Sequence, residues 1–182
     1  MKKITFFTIL TLASFCSCKN VKPVVEDVDI NQERAIATFD SIYGHYSVPN
    51  SNLLRETYPF DNKYTATYLA TQEQANVPNQ YSYLWPYSGM FTAVNVLYEG
   101  TNDAKYKKLL DEKVLAGLEE YFDTKREPAG YASYINAAPQ SDRFYDDNVW
   151  LGIDFTDIYM ITKDEKYLDK AKLIWKFIES GT

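Results

Sequence analysis

The segment Tyr98–Glu99–Gly100–Thr101–Asn102–Asp103–Ala104–Lys105–Tyr106 returns 61 residues later as Tyr159–Met160–Ile161–Thr162–Lys163–Asp164–Glu165–Lys166–Tyr167. In each copy an apolar helical run ends and another begins after an aspartate, a favoured N-cap because its carboxylate accepts from the free N–H groups of a first helical turn. Each copy therefore reads as the turn of a helical hairpin. Carried forward, the offset sets Val114 on Trp175, apolar on apolar; carried backward, it sets Leu84 on Tyr145. The openings Trp85–Pro86–Tyr87 and Asp146–Asp147–Asn148 are thus equivalent ends of successive hairpins. Repeated hairpins predict an all-α fold of helix pairs, stacked or arranged in a ring.

The pattern around the repeat agrees with this. Ala35, Ile36, Phe39, Ile42, Tyr43 and Tyr46 make a helical stripe over Gln32–Tyr46, and Ser47–Val48–Pro49–Asn50–Ser51 stops it. A second helix opens at Trp85 and runs to about Tyr98, and a third runs from Ala104 to Phe122, with Val94, Leu97, Leu109, Leu110, Val114 and Leu118 as buried contacts. Leu53–Pro78 and Asp123–Phe144 read as long loops, the second a hairpin-like excursion around Gly130, Tyr131, Tyr134 and Pro139. If the hairpins form a ring, both loops rise beside the rim at which the inner helices begin. Trp85, Tyr87, Tyr131, Tyr134, Tyr145 and Trp150 would line an open groove there, and flat aromatics among polar groups suit a sugar polymer.

The first seventeen residues have the layout of an export leader: basic Lys2 and Lys3, an apolar stretch Ile4–Phe15, then Cys16–Ser17–Cys18. The stretch is too short to span a bilayer, which takes about 20 apolar residues. Small Ser17 before Cys18 points to a bacterial lipoprotein with Cys18 as the acylated residue. Both cysteines of the chain lie here, so the exported body has no disulfide. Residues 18–31 read as a flexible tether and 32–182 as the domain. The expected location is outside the cytoplasm, held to a membrane by the lipid, in the periplasm or at the cell surface.

Loss of Lys2 and Lys3 leaves 17 basic against 25 acidic residues, a net charge of −8 with no basic stripe. That balance argues against nucleic acid as a partner and leaves neutral polysaccharide open. His45 is the single histidine and reads as a helix-end residue, so zinc sites and histidine-based nucleophile activation have little to work with. No metal or other cofactor is expected. Carboxylates are the chemistry that remains.

They occur together in Arg143–Phe144–Tyr145–Asp146–Asp147–Asn148–Val149–Trp150. Two successive aspartates precede an apolar helical pattern, so they belong to a helix mouth beside an apolar wall. Aspartates there also serve as simple caps that stabilise the first turn through the helix dipole. A pair facing one cleft could instead cleave a glycosidic bond, one carboxylate as nucleophile and one carboxylic acid protonating the leaving oxygen. Retaining enzymes hold the two roughly 5–5.5 Å apart, within reach of successive side chains at a helix start.

Tyr145–Asp146–Asp147–Asn148–Val149–Trp150–Leu151–Gly152 resembles the catalytic segment of glycoside hydrolase family 76, the endo-α-1,6-mannanases. The resemblance extends back through Tyr83–Leu84–Trp85–Pro86–Tyr87–Ser88–Gly89–Met90 and forward to Ser180–Gly181. It implies an (α/α)6 toroid of twelve helices, of which this chain would supply about five as an N-terminal portion; the open apolar faces of such an arc would favour self-association. It further implies retaining endo-hydrolysis of α-1,6-mannan, with Asp146 as nucleophile and Asp147 as acid/base. Trp85, Tyr87, Tyr131, Tyr145 and Asn148 are the candidate substrate contacts. The competing readings are a helical-repeat lipoprotein that binds glycan without cutting it, and another toroid enzyme such as an unsaturated-uronide hydrolase or sugar epimerase, for which no basic cluster is provided.

Overall fold

The structure, a computed structural model, describes residues 29–61, 63, 80–138 and 141–181. The export leader, Cys18, most of the expected tether, most of the Leu53–Pro78 segment and Pro139 lie outside them.

Helix α1, Ile30–Tyr46, starts two residues before the expected helix because Asp29 caps it: its carboxylate accepts from the N–H of Asn31 at 2.9 Å and of Gln32 at 3.2 Å. The last residues assigned to the tether are therefore helix. His45 falls in the last turn, its ring 4.5 Å from that of Tyr58.

The first hairpin pairs α2, Leu84–Thr101, with a second rod that is not one continuous α-helix. That rod is α3, Ala104–Leu109, a π-helical segment Leu110–Val114, α4, Leu115–Leu118, and a 3₁₀ turn Glu119–Tyr121. The sequence pattern predicted one helix to Phe122; the π segment widens it in the middle while Leu110, Val114 and Leu118 all stay buried. Phe122–Asp123 (β1) then pairs antiparallel with Gly130–Tyr131 (β2), a short ribbon inside the long connection. The second hairpin is α5, Tyr145–Thr162, and α6, Glu165–Glu179.

The 61-residue repeat is present bond for bond. Asn102 and Lys163 end α2 and α5 in the left-handed conformation, their N–H groups donating to Tyr98 O at 2.8 Å and Tyr159 O at 2.7 Å. Asp103 and Asp164 cap the following helices through the N–H of Lys105 (2.9 Å) and Lys166 (3.1 Å). Thr101 and Thr162 each donate back to the carbonyl four residues earlier, Leu97 at 2.6 Å and Ile158 at 2.7 Å. Local capping chemistry thus fixes both turns.

Hairpins join through α2 and α5. Phe91 and Phe155 meet edge to face, 4.8 Å between ring centroids, in a core with Val94, Leu151, Ile158 and Ile174. Both helices also carry exposed apolar residues on further faces, among them Trp85, Val96, Val149, Trp150 and Ile153. A groove of about 690 Å³ runs between α5 and α6, walled by Val149, Ile153, Ala171, Trp175 and Ile178. Its residues Gly152, Ile153 and Thr156 are the repeat equivalents of Phe91, Thr92 and Asn95, which face α5. Among the described residues no helix is long and apolar enough to cross a membrane.

Candidate active site

The mouth of α5 carries the two aspartates in its first turn. Phe144 occupies the N-cap position with an extended backbone, and its side chain makes no capping hydrogen bond. Neither Asp146 nor Asp147 is therefore the cap that the simpler reading of the pair required. They differ sharply in setting: Asp146 is exposed, whereas Asp147 is 6% exposed. Burial, and after it the charge of Asp146, pushes the Asp147 carboxyl up to about 6. Two neighbouring carboxyls in unlike environments can hold unlike protonation states, which is what a paired acid and nucleophile require.

Several contacts fix this mouth. Arg143, one turn upstream, donates through Nη1 to the carbonyls of Arg126 (3.0 Å) and Pro128 (2.6 Å), and its guanidinium lies 4.8 Å from the centroid of the Phe177 ring. Phe177 in turn stacks on Tyr145 at 4.9 Å and 18°. Asp123, 3% exposed, ties Arg126 and Arg143 together. Burial alone would raise the Asp123 carboxyl; the Arg126 hydrogen bond, the Lys125 N–H and the two guanidinium charges outweigh it and hold it below the usual value.

The expected sugar contacts separate into two groups. Trp85 and Trp150 are each about half exposed, 54% and 50%, and meet edge to face at 6.5 Å, above a cavity of about 190 Å³ lined by Ser88, Gly89 and Thr92. Tyr145 keeps an exposed part beside the acids. The other candidates do not face a groove. Tyr87 is buried, its hydroxyl 3.1 Å from Asn52 O and 3.0 Å from Val114 O. Tyr131 is buried with its hydroxyl on Glu119, and Tyr134 packs on Tyr83. Asn148 is fully buried and spends its carboxamide on the main chain of Tyr131 and Phe144. Tyr87, Tyr131 and Asn148 are thus corrected from substrate contacts to supports: each reaches a partner remote in sequence that its own neighbourhood could not disclose.

Asp154 escaped the sequence reading. It lies two turns beyond Asp147 on the same apolar stripe, 2% exposed, and accepts from Thr92 Oγ1 at 3.0 Å. Burial first, opposed by that hydrogen bond and reinforced by Asp157, pushes its carboxyl up to about 7. A carboxylate at the seventh position after Asp147 is a signal that helical spacing could have given. Among the described residues, no group of three His, Cys, Asp or Glu side chains is placed to hold a metal ion.

The model of the family described as Glycosyl hydrolase family 76 matches residues 54–181, more than half of the chain. The chain belongs to glycosyl hydrolase family 76. Among solved structures it is similar to a family 76 mannosidase from Bacteroides thetaiotaomicron VPI-5482, at 27% identity and a TM-score of 0.64, over 82% of this chain and 37% of that one. A family 76 glycoside hydrolase from a bovine Bacteroides thetaiotaomicron strain shares 24% identity (TM-score 0.61; 82% and 29% covered). An inactive variant of the α-1,6-mannanase of Salegentibacter sp. HEL1_6, with two successive aspartates changed to asparagine and α-1,6-mannotriose bound, shares 20% (TM-score 0.55; 82% and 34% covered). No curated protein matches. The chain spans little more than a third of the length of the mannosidase, and its fold is the all-α one of the family, built of helical hairpins.

Proposed function

We propose that this family 76 chain carries the catalytic acids of a retaining hydrolase that cleaves the α-1,6-mannan backbone internally. The observation that carries the reading is the unlike setting of two adjacent carboxyls at one helix mouth, Asp146 exposed and Asp147 buried with its carboxyl pushed up to about 6. Asp147, protonated, gives its proton to the glycosidic oxygen as the bond to the anomeric carbon breaks, while the Asp146 carboxylate attacks that carbon and forms a glycosyl ester. Water then displaces Asp146 from the same carbon, with Asp147 taking the proton back. Trp85 and Trp150 at the same rim offer aromatic faces to sugar C–H groups, and Tyr145 borders the acids.

The test is release of reducing ends from α-1,6-mannan by the full-length protein, with product anomers read by proton NMR. Asp146→Asn and Asp147→Asn are each expected to abolish release; activity surviving either change ends the assignment. Binding of mannan with no release by the parent protein would favour instead the non-cleaving glycan-binding reading, which the exposed Trp85–Trp150 pair alone could serve.

The same proposal places the protein outside the cytoplasm on a lipid attached to Cys18. Cys18→Ser is expected to move it from the membrane to the soluble fraction. Fractionation unchanged by that substitution would remove the anchor.

A further inference from the structure

Tyr131 stands opposite Phe122 in the β1–β2 ribbon, and the neighbouring ladder bond runs from Ala132 N–H to Tyr121 O at 2.8 Å. In an antiparallel pair such bonds alternate, so the N–H and C=O of Tyr131 itself point away from β1. Left alone, they would be buried and unsatisfied, since Tyr131 is fully buried. Asn148 meets both: its Oδ1 accepts from Tyr131 N–H at 2.8 Å and its Nδ2 donates to Tyr131 O at 2.9 Å. One carboxamide is chemically one peptide group, and here it stands where a third strand would.

The remaining Nδ2 proton goes to Phe144 O at 2.8 Å, the N-cap carbonyl of α5. The main-chain bond that should close that first turn, Asn148 N–H to Phe144 O, is long at 3.3 Å, and the N-cap Phe144 has no polar side chain to cap it. The turn bearing Asp146 and Asp147 is thus held through the Asn148 side chain. With both donors used and no exposed surface, Asn148 has nothing to offer a sugar.

We propose that Asn148 is a positioning residue: it ties the first turn of α5 to the β-ribbon and so fixes the direction in which the adjacent Asp147 is presented. Only the kinetic consequence rests on the hydrolase reading above. The holding contact is 17 residues away in sequence, so the ribbon inside the long loop is what aims the acid.

The test is Asn148→Ala in the full chain, with Asp147 followed by carbon-13 NMR of labelled aspartate and mannan cleavage by reducing-end release. Loosening the turn lets water reach Asp147, so its titration is expected about one pH unit lower than in the parent. The value of kcat is expected to fall on the order of 100-fold with KM within about three-fold, as for a misplaced reacting group. An Asp147 titration unchanged in a variant with parental circular dichroism overturns the proposal, and so does a loss carried by KM alone. If the parent does not cleave mannan yet Asp147 shifts in the variant, positioning stands and the hydrolase reading falls. Should Asn148→Ala not fold, Asn148→Asp keeps the shape and the acceptor for Tyr131 N–H but loses both donors and adds charge. It is expected to raise the Asp147 titration and lose kcat; parental values for both would overturn the proposal.

Discussion

Asn102 and Lys163, one repeat apart, close their hairpins in the same left-handed backbone, φ 51° and 58°. Asparagine tolerates that region through its short polar side chain, whereas lysine carries an unrelieved steric cost. Lys163 is exposed, and among the described residues its Nζ makes a 3.7 Å contact with Met160 Sδ and lies 5.5 Å from the Tyr159 ring centroid. Lys163→Gly is therefore expected to stabilise the chain by about 0.5–1 kcal/mol, and Asn102→Ala to destabilise it by about 1 kcal/mol. Urea unfolding checks both; a loss of stability in Lys163→Gly would mean that those outlying contacts outweigh backbone strain.

The charge of Asp146 is the second cause, after burial, of the raised Asp147 carboxyl. Asp146→Asn removes that charge without removing bulk, so Asp147 should titrate below 6 in the variant but above an ordinary aspartate, because burial persists. Carbon-13 NMR titration reads this in the absence of catalysis. If the titration does not move, the two carboxyls are not coupled, and their proposed division of labour loses its electrostatic basis.

Asp154 makes stability depend on pH in a defined direction. Its folded carboxyl is raised to about 7 against roughly 4 in an unfolded chain. The folded state therefore binds the proton more tightly, and its contribution is fully present below about pH 4 and lost as pH rises through about 7. Asp154→Asn keeps an acceptor for Thr92 Oγ1 and cannot ionise. It is expected to raise stability at pH 7.5 on the order of 1–3 kcal/mol and to change little at pH 4. Denaturation at the two pH values tests this; equal effects at both would show that folding does not raise the Asp154 carboxyl.

The residues that proved legible act locally. Thr101, Asp103, Thr162 and Asp164 announce their turns because a cap binds N–H groups two or three residues away, and the acid pair is legible at a helix mouth because the helix dipole favours carboxylates in a first turn. The aromatic lining was half misread because an aromatic at a helix mouth can point either way. Tyr87 turns inward to carbonyls 27 and 35 residues distant, and Asn148 to a strand 17 residues back. No periodicity encodes such choices. The π segment Leu110–Val114 was equally silent, since one widened turn leaves the apolar spacing of Leu110, Val114 and Leu118 intact.

Gly130 and Gly152 separate close approach from plain helix propensity. A Cβ at Gly130 would lie 2.8 Å from Cγ of Phe177 and within 3.2 Å of both adjacent ring carbons. That ring cannot retreat freely, because Tyr145 stacks on it at 4.9 Å and the Arg143 guanidinium lies 4.8 Å from its centroid. Gly130→Ala should therefore destabilise by about 1–3 kcal/mol and disturb the helix mouth through Tyr145. At Gly152, inside α5, the nearest atom to a new Cβ is Ile174 Cγ2 at 3.6 Å, an ordinary contact. Gly152→Ala should stabilise by about 0.5–1 kcal/mol, because alanine gives up less backbone freedom in a helix. Urea midpoints moving in opposite directions are the expected result. A neutral Gly130→Ala would mean that β2 can lift off Phe177, and with it that the ribbon is not what holds the acid-bearing turn in place.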